Sequence, residues 1–201
     1  MSKQLLVDYT LFEVTPNQIN ESMTRNNGRL IVSGVLQRAN AKNQNKRIYP
    51  KEVLMREAKK YNDTFVNERR ALGELDHPDS SVVNLNNVSH NVLEMKWNND
   101  DLVGTVEVLP TPAGNILKEL FKAGIRLGIS SRGMGSVKEV MREGDNTLLV
   151  QDDFELIAFD FVSNPSTHGA FLSPVNESVA NVVANKYTTI DSIIANIIRE
   201  F

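Results

Sequence analysis

The segment Leu156-Ile157-Ala158-Phe159-Asp160-Phe161-Val162 is apolar at every position but one. It reads as a β-strand stopped by Asn164-Pro165-Ser166. Burying the Asp160 carboxylate inside such a strand costs several kcal/mol unless it is paired. Either Asp160 lies at the strand end and faces water, or the fold delivers a partner to it. The chain has only three histidines, and His77 would be such a partner.

The rest of the chain alternates strand and helix signals. Leu5 to Val14 and Leu30 to Leu36 read as strands, separated by the turn signal Asn26-Asn27-Gly28, with Gly34 as a bulge or close-approach point. Asn40 to Lys46 is a polar loop. Pro50 fits the first turn of a helix reaching to about Phe65, and Val53, Leu54, Ala58 and Tyr61 recur at helical spacing. Ala71 to Leu75 is a short strand ending at Asp76-His77-Pro78; the proline disfavours helical backbone at His77. Val88 to Trp97 and Leu102 to Leu109 predict a hairpin turning at Asn98-Asn99-Asp100-Asp101. Thr111 caps a helix opening with Pro112, and Gly124 follows its end. Arg126 to Ser131 is a strand running into a glycine-rich turn, and Asn146 to Gln151 is a further strand. Residues 1–174 are expected to form the main domain. Residues 175–201 read as a tail in which Ile190, Ile193, Ile194, Ile197 and Ile198 line one face of a short helix, either docked on the domain or detachable to bind a partner or cover the site.

Composition narrows the chemistry. The chain contains no cysteine, which excludes disulfides, thiolate zinc sites and cysteine nucleophiles. A net charge of −3 supplies no global field for nucleic acid or anionic membrane. No apolar run is long enough to span a bilayer, and Met1 to Asp8 lacks a signal-peptide core. An intracellular protein without nucleic-acid or membrane partners is the expectation.

Two stretches carry candidate chemistry. Gly73-Glu74-Leu75-Asp76-His77-Pro78 holds a histidine in front of a proline, and Gly128-Ile129-Ser130-Ser131-Arg132-Gly133-Met134-Gly135-Ser136 holds a serine pair. A serine hydroxyl is a poor nucleophile until a neutral imidazole can take its proton. Strand alternation lets only one of Ser130 and Ser131 face His77, and spacing does not choose between them. N–H groups of an Arg132-Gly133 turn would serve an oxyanion. The group orienting the imidazole is to be sought among Asp160, Glu155, His90 and His168. Glu74, Asp76 and Asp79 around His77 offer a second reading, a metal site. Metal hydrolases usually carry two histidines at fixed spacing, which His90 and His168 do not provide. No metal or other cofactor is therefore expected.

These stretches resemble the prohead core proteases of T-even-like tailed phages. Asn43-Gln44-Asn45-Lys46-Arg47-Ile48-Tyr49-Pro50 looks like the family's Asn-x-Asn-Lys-Arg-x-Tyr-Pro. Ala71 to Pro78 looks like its Ala-Leu-Gly-Glu-Leu-x-His-Pro, and Gly128 to Ser136 like its Gly-x-Ser-Ser-Arg-Gly-x-Gly-Ser. Asp160 to Pro165 is similar to a weaker Asp-x-Val-x-x-Pro segment. The resemblance implies an α+β fold related to herpesvirus assemblins, a β-barrel flanked by helices. It implies a serine endopeptidase with His77 as general base, Ser130 as nucleophile, Asp160 as third member and Arg132 on the oxyanion side. The Asn43 to Pro50 stretch is read as structural.

The same resemblance implies cleavage after glutamate in Leu/Ile-x-Glu contexts. Leu11-Phe12-Glu13 and Ile198-Arg199-Glu200 fit, so Glu13 and Glu200 are candidates for self-cleavage. Substrates would be phage scaffold and capsid proteins, met inside the assembling prohead in the host cytoplasm. The protease would be scaffold-associated or a homo-oligomer. The competing reading is a non-enzymatic head or scaffold assembly protein using the terminal isoleucine helix.

Overall fold

Alternating burial sets the first strand of the computed structural model, β1 (Gln4–Phe12), with Leu6, Asp8 and Phe12 turned inward. The structure describes residues 2–76, 80–142 and 144–163, and they fall in one compact unit, Met1–Thr167. The expected tail at 175–201 lies outside them.

After β1 comes a helix that periodicity does not predict, α1 (Pro16–Arg25). Only Ile19 on it is fully buried, so it carries almost no apolar stripe. Its start is chemical: Thr15 accepts from the Gln18 N–H, and the Gln18 side chain accepts from the Thr15 N–H at 2.8 Å. The expected strand and hairpin follow as β2 (Leu30–Arg38), β5 (Val88–Asn98) and β6 (Asp101–Val108), with the short β3 (Arg47–Ile48) and β4 (Leu72–Glu74) between β2 and β5. Helix α2 (Lys51–Tyr61) buries Val53, Leu54, Ala58 and Tyr61 as its spacing predicts, and one wider turn carries it to Val66. Thr111 caps α3 (Pro112–Lys122), which buries Leu117 and Phe121 but leaves Ile116 exposed. The chain continues through β7 (Leu127–Gly135), β8 (Val137–Arg142), β9 (Asp145–Val150) and β10 (Glu155–Val162).

The strands form three sheets, in the orders β1-β7-β10, β2-β6-β5-β4 and β3-β9-β8. The fold is mixed α+β, as expected, but the expected β-barrel is not found: no sheet closes on itself among the described residues. The edge of β1 at Val7 is taken by side chains rather than by another strand. Asn45 Nδ2 and Arg47 Nη1 both donate to the Val7 carbonyl, at 2.9 and 3.2 Å. The first two sheets meet at one parallel bridge, Leu75 to Phe161, reinforced by Asp76 N–H donating to Phe161 O at 2.7 Å. Behind that bridge Phe161 is met edge-on by Phe12, Phe121 and His90, with ring centroids 5.1, 5.4 and 4.7 Å away.

The glycine-rich stretch, expected to turn, is instead a central strand. β7 is paired on one side with β1 and on the other with β10. Its glycines serve close approach. A methyl on Gly128 would lie 1.6 Å from Tyr9 Cε2, and one on Gly133 would lie 2.4 Å from Phe154 Cε2. Missing side chains there make room for two aromatic rings to lie on the strand.

Candidate active site

Register along β7 separates the serine pair. Ser130 stands in one row with Tyr9 of β1 and Asp160 of β10. Ser131 stands in the next row, opposite Asp8 and Phe159, and so points to the other face. That face is the core side. The Ser131 hydroxyl accepts from Gln37 Nε2 at 2.8 Å and donates to the Asp8 carbonyl at 3.4 Å. Gln37 reaches it because β2 shifts register between Val35 and Gln37. Ser130 Oγ is buried and has no hydrogen-bond partner among the described residues. One hydroxyl of the pair is therefore engaged, and the other stands in register with Asp160.

Asp160 is fully buried, and the partner that the described residues supply is Arg132. Arg132, also fully buried, donates from Nη2 to Asp160 Oδ1 at 3.2 Å. Its Nε lies 2.9 Å from Asp160 Oδ2, an ionic contact off the hydrogen-bond direction. Asp160 Oδ1 also accepts the Glu74 N–H at 3.0 Å. Burial still outweighs the guanidinium and pushes the Asp160 carboxyl up to about 6.

Glu74, whose sequence context suggested only a metal ligand, is a member of the same cluster. It is fully buried and accepts from Arg132 Nη2 at 3.1 Å and from the Asn84 N–H at 3.0 Å, both through Oε1. Its Oε2 is buried without a hydrogen-bond partner among the described residues. Arg132 Nη1 donates to the Ser80 carbonyl at 2.7 Å. One guanidinium thus holds β4, β10 and the segment after His77. Removing one partner of such a buried pair costs about 3–5 kcal/mol.

His77 lies outside the described residues, as do His168 and Glu200. What flanks His77 is described. Asp76 is tied to Phe161, the residue after Asp160, and has a left-handed φ of 67°. Ser80, on the other side, is tied to Arg132.

The remaining sequence candidates separate clearly. His90 is fully buried, with Nε2 3.0 Å from the Phe159 carbonyl and Nδ1 2.8 Å from Ser89 Oγ. A carbonyl only accepts, so Nε2 carries the proton and Nδ1 accepts from the serine. Burial pushes its pKa down to about 3, and its ring fills the space over Gly73, where a methyl would lie 2.3 Å from Nε2. His90 is a neutral core residue. Glu155 is exposed and paired with Lys3 at 2.7 Å. Glu13 lies between β1 and α1, exposed and 3.3 Å from Arg126.

The Asn43 to Pro50 stretch reaches the site from behind. Asp8, fully buried in the row of Ser131, receives Asn45 Nδ2 at 2.7 Å, Arg47 Nη1 at 3.1 Å and the Tyr49 hydroxyl. Burial first, and then the Asp8 charge, raise the Tyr49 hydroxyl well above the usual range. Asn43 Oδ1 shapes the loop by accepting from the N–H groups of Asn45 and Arg47 at 3.0 and 2.9 Å. The motif read as structural thus fastens its loop to β1, the neighbour of the strand that carries both serines. A carboxylate in Leu5-Leu6-Val7-Asp8 was the signal for it.

The profile of the prohead core protein serine protease family matches residues 8–180. The chain belongs to this family. It is similar to the prohead core protein protease of Enterobacteria phage T4, 32% identical over 148 residues, which cover 72% of this chain and 68% of that protein. It is also similar to the solved structure of the bacteriophage T4 capsid assembly protease, with a TM-score of 0.69 at 25% identity, covering 81% of this chain and 99% of that one. Membership makes the chain a peptidase of the head-maturation type. No helix among the described residues is long and apolar enough to cross a membrane.

Proposed function

We propose that the chain is a serine endopeptidase of phage head maturation, with Ser130 as nucleophile, His77 as general base and Asp160 as the third member. The observation that carries this reading is the placement of the Ser130 hydroxyl. It is buried, unpartnered among the described residues, and in register with Asp160, while Ser131 is turned away and bonded to Gln37. Residues on both sides of His77 are tied to β7 and β10, the strands that bear Ser130 and Asp160.

In the reaction His77 takes the Ser130 proton as the hydroxyl attacks a peptide carbonyl. The tetrahedral intermediate collapses as His77 protonates the leaving amine, and water repeats both steps on the acyl-enzyme. Asp160 favours the imidazolium. Arg132 is kept on the oxyanion side by way of a held water, since its guanidinium is committed to carboxylates and the Ser80 carbonyl and its main chain lies in β7 between two paired strands. Because Ser130 is inaccessible to solvent in this arrangement, substrate entry requires its neighbours to move. The substrates are scaffold and capsid proteins of the assembling prohead in the host cytoplasm, cut after glutamate in Leu/Ile-x-Glu contexts. Self-cleavage after Glu13 or Glu200 belongs to the same specificity.

The test is a peptide containing Ile-x-Glu incubated with the wild type, Ser130→Ala and Ser131→Ala. Ser130→Ala is expected to lose activity by about 10⁴-fold or more, and Ser131→Ala to retain most of it. The reverse order would assign the nucleophile to Ser131, and equal activity in all three would refute serine catalysis. Mass spectrometry of wild type and Ser130→Ala checks self-cleavage; identical termini would refute it.

A further inference from the structure

We infer that Arg132 is a positioning residue for the general base: its guanidinium ties Glu74 and Ser80, on either side of His77, onto the strand that carries Ser130. The inference rests on the serine-protease reading and assigns Arg132 a second role within it. Three observations support it.

First, the fork reaches three separate parts of the chain. Nε and Nη2 face Asp160 on β10, Nη2 also meets Glu74 on β4, and Nη1 meets the Ser80 carbonyl. A planar guanidinium has donors in fixed directions for this; a lysine ammonium is a single point and cannot span the three. Second, the segment is closed at its base by the same cluster. Glu74 Oε1 accepts from both Arg132 and the Asn84 N–H, while the Glu74 N–H is spent on Asp160. Third, Arg132 follows Ser130 by two residues on a strand, so both side chains leave the same face. A residue that moves with the nucleophile therefore holds Glu74 and Ser80, the described residues on either side of His77. A misplacement of about 1 Å in a catalytic constellation costs about 10²-fold in rate, so this linkage matters for the reaction.

The experiment compares wild type, Arg132→Lys and Asn84→Pro, all as full chains. Asn84 is exposed, and proline there removes the N–H that closes the segment without touching Arg132. Amide exchange is read at Glu74, Leu75 and Asp76, whose N–H groups donate to Asp160, Asn87 and Phe161. Peptide kinetics are read alongside. Arg132→Lys should speed exchange at these amides at least about tenfold and lower kcat about 10²-fold with little change in KM. Asn84→Pro should move both readouts the same way by less. A fall in kcat with exchange unchanged would mean a direct oxyanion contact and overturn the inference, as would wild-type values of both. If Arg132→Lys does not fold, Asn84→Pro decides by the same two readouts. An inactive wild type would refute the protease reading, while exchange in Arg132→Lys would still report whether the clamp exists.

Discussion

Acid should destabilise this protein through His90, by an amount that can be worked out. In the unfolded chain a histidine titrates near 6.5; in the fold, burial pushes His90 down to about 3. Its folded pKa is lowered, so between these values the unfolded chain binds the extra proton. The stabilising contribution is complete above about pH 6.5 and is lost as pH falls toward 3. Each pH unit in that window is worth about 1.4 kcal/mol, which makes about 2 kcal/mol by pH 5. That is a sizeable part of a typical total of about 5–15 kcal/mol. The assay is urea unfolding of the wild type and His90→Gln at pH 7.5 and pH 5. Other titrating groups are shared, so they cancel in the difference between the two proteins. Glutamine retains an N–H for the Phe159 carbonyl but cannot be protonated. The stability advantage of the wild type should shrink by about 2 kcal/mol between the two pH values. An advantage independent of pH would refute the claim that the fold holds this ring neutral.

Two further substitutions test how the site is framed. Tyr49→Phe leaves the buried Asp8 carboxylate without its hydroxyl donor and should cost about 2 kcal/mol by chemical denaturation; an unchanged midpoint and slope would remove Tyr49 from the clamp. Gly128→Ala should cost about 1–3 kcal/mol because the new methyl meets the Tyr9 ring, and adding Tyr9→Ala should return most of the loss. No recovery in the double variant would place the strain elsewhere.

Much of the framework is legible in local sequence. The hairpin at Asn98 to Asp101, the helix behind Pro50 and the helix capped by Thr111 follow from periodicity and turn chemistry, and they stand where expected. Helix α1 is missed because only Ile19 is fully buried on it, although Thr15-Pro16-Asn17-Gln18 carried a capping signal. Strand β7 is followed only as far as Ser131 because glycine marks both turns and close approach, and only the ring of Phe154 against Gly133 and Gly135 tells the two apart. Of the site, the serine pair and the carboxylate that needs pairing are visible in advance. The third partner in that cluster, Glu74, is visible only as part of a motif.

Local chemistry along the chain specified the elements and posed a demand: a carboxylate in an apolar strand cannot stay unpaired. Folding chose who met the demand. Arg132 pairs with Asp160, and Ser130 rather than Ser131 shares its face, because β7 pairs with β10 in one register. A shift of one residue would exchange the two serines between core and site. Side-chain alternation is a property of neighbours and can be read from them. Register is decided by contacts between distant segments, the Asp8 clamp and the Phe161 cluster among them, and becomes definite only when those segments pack.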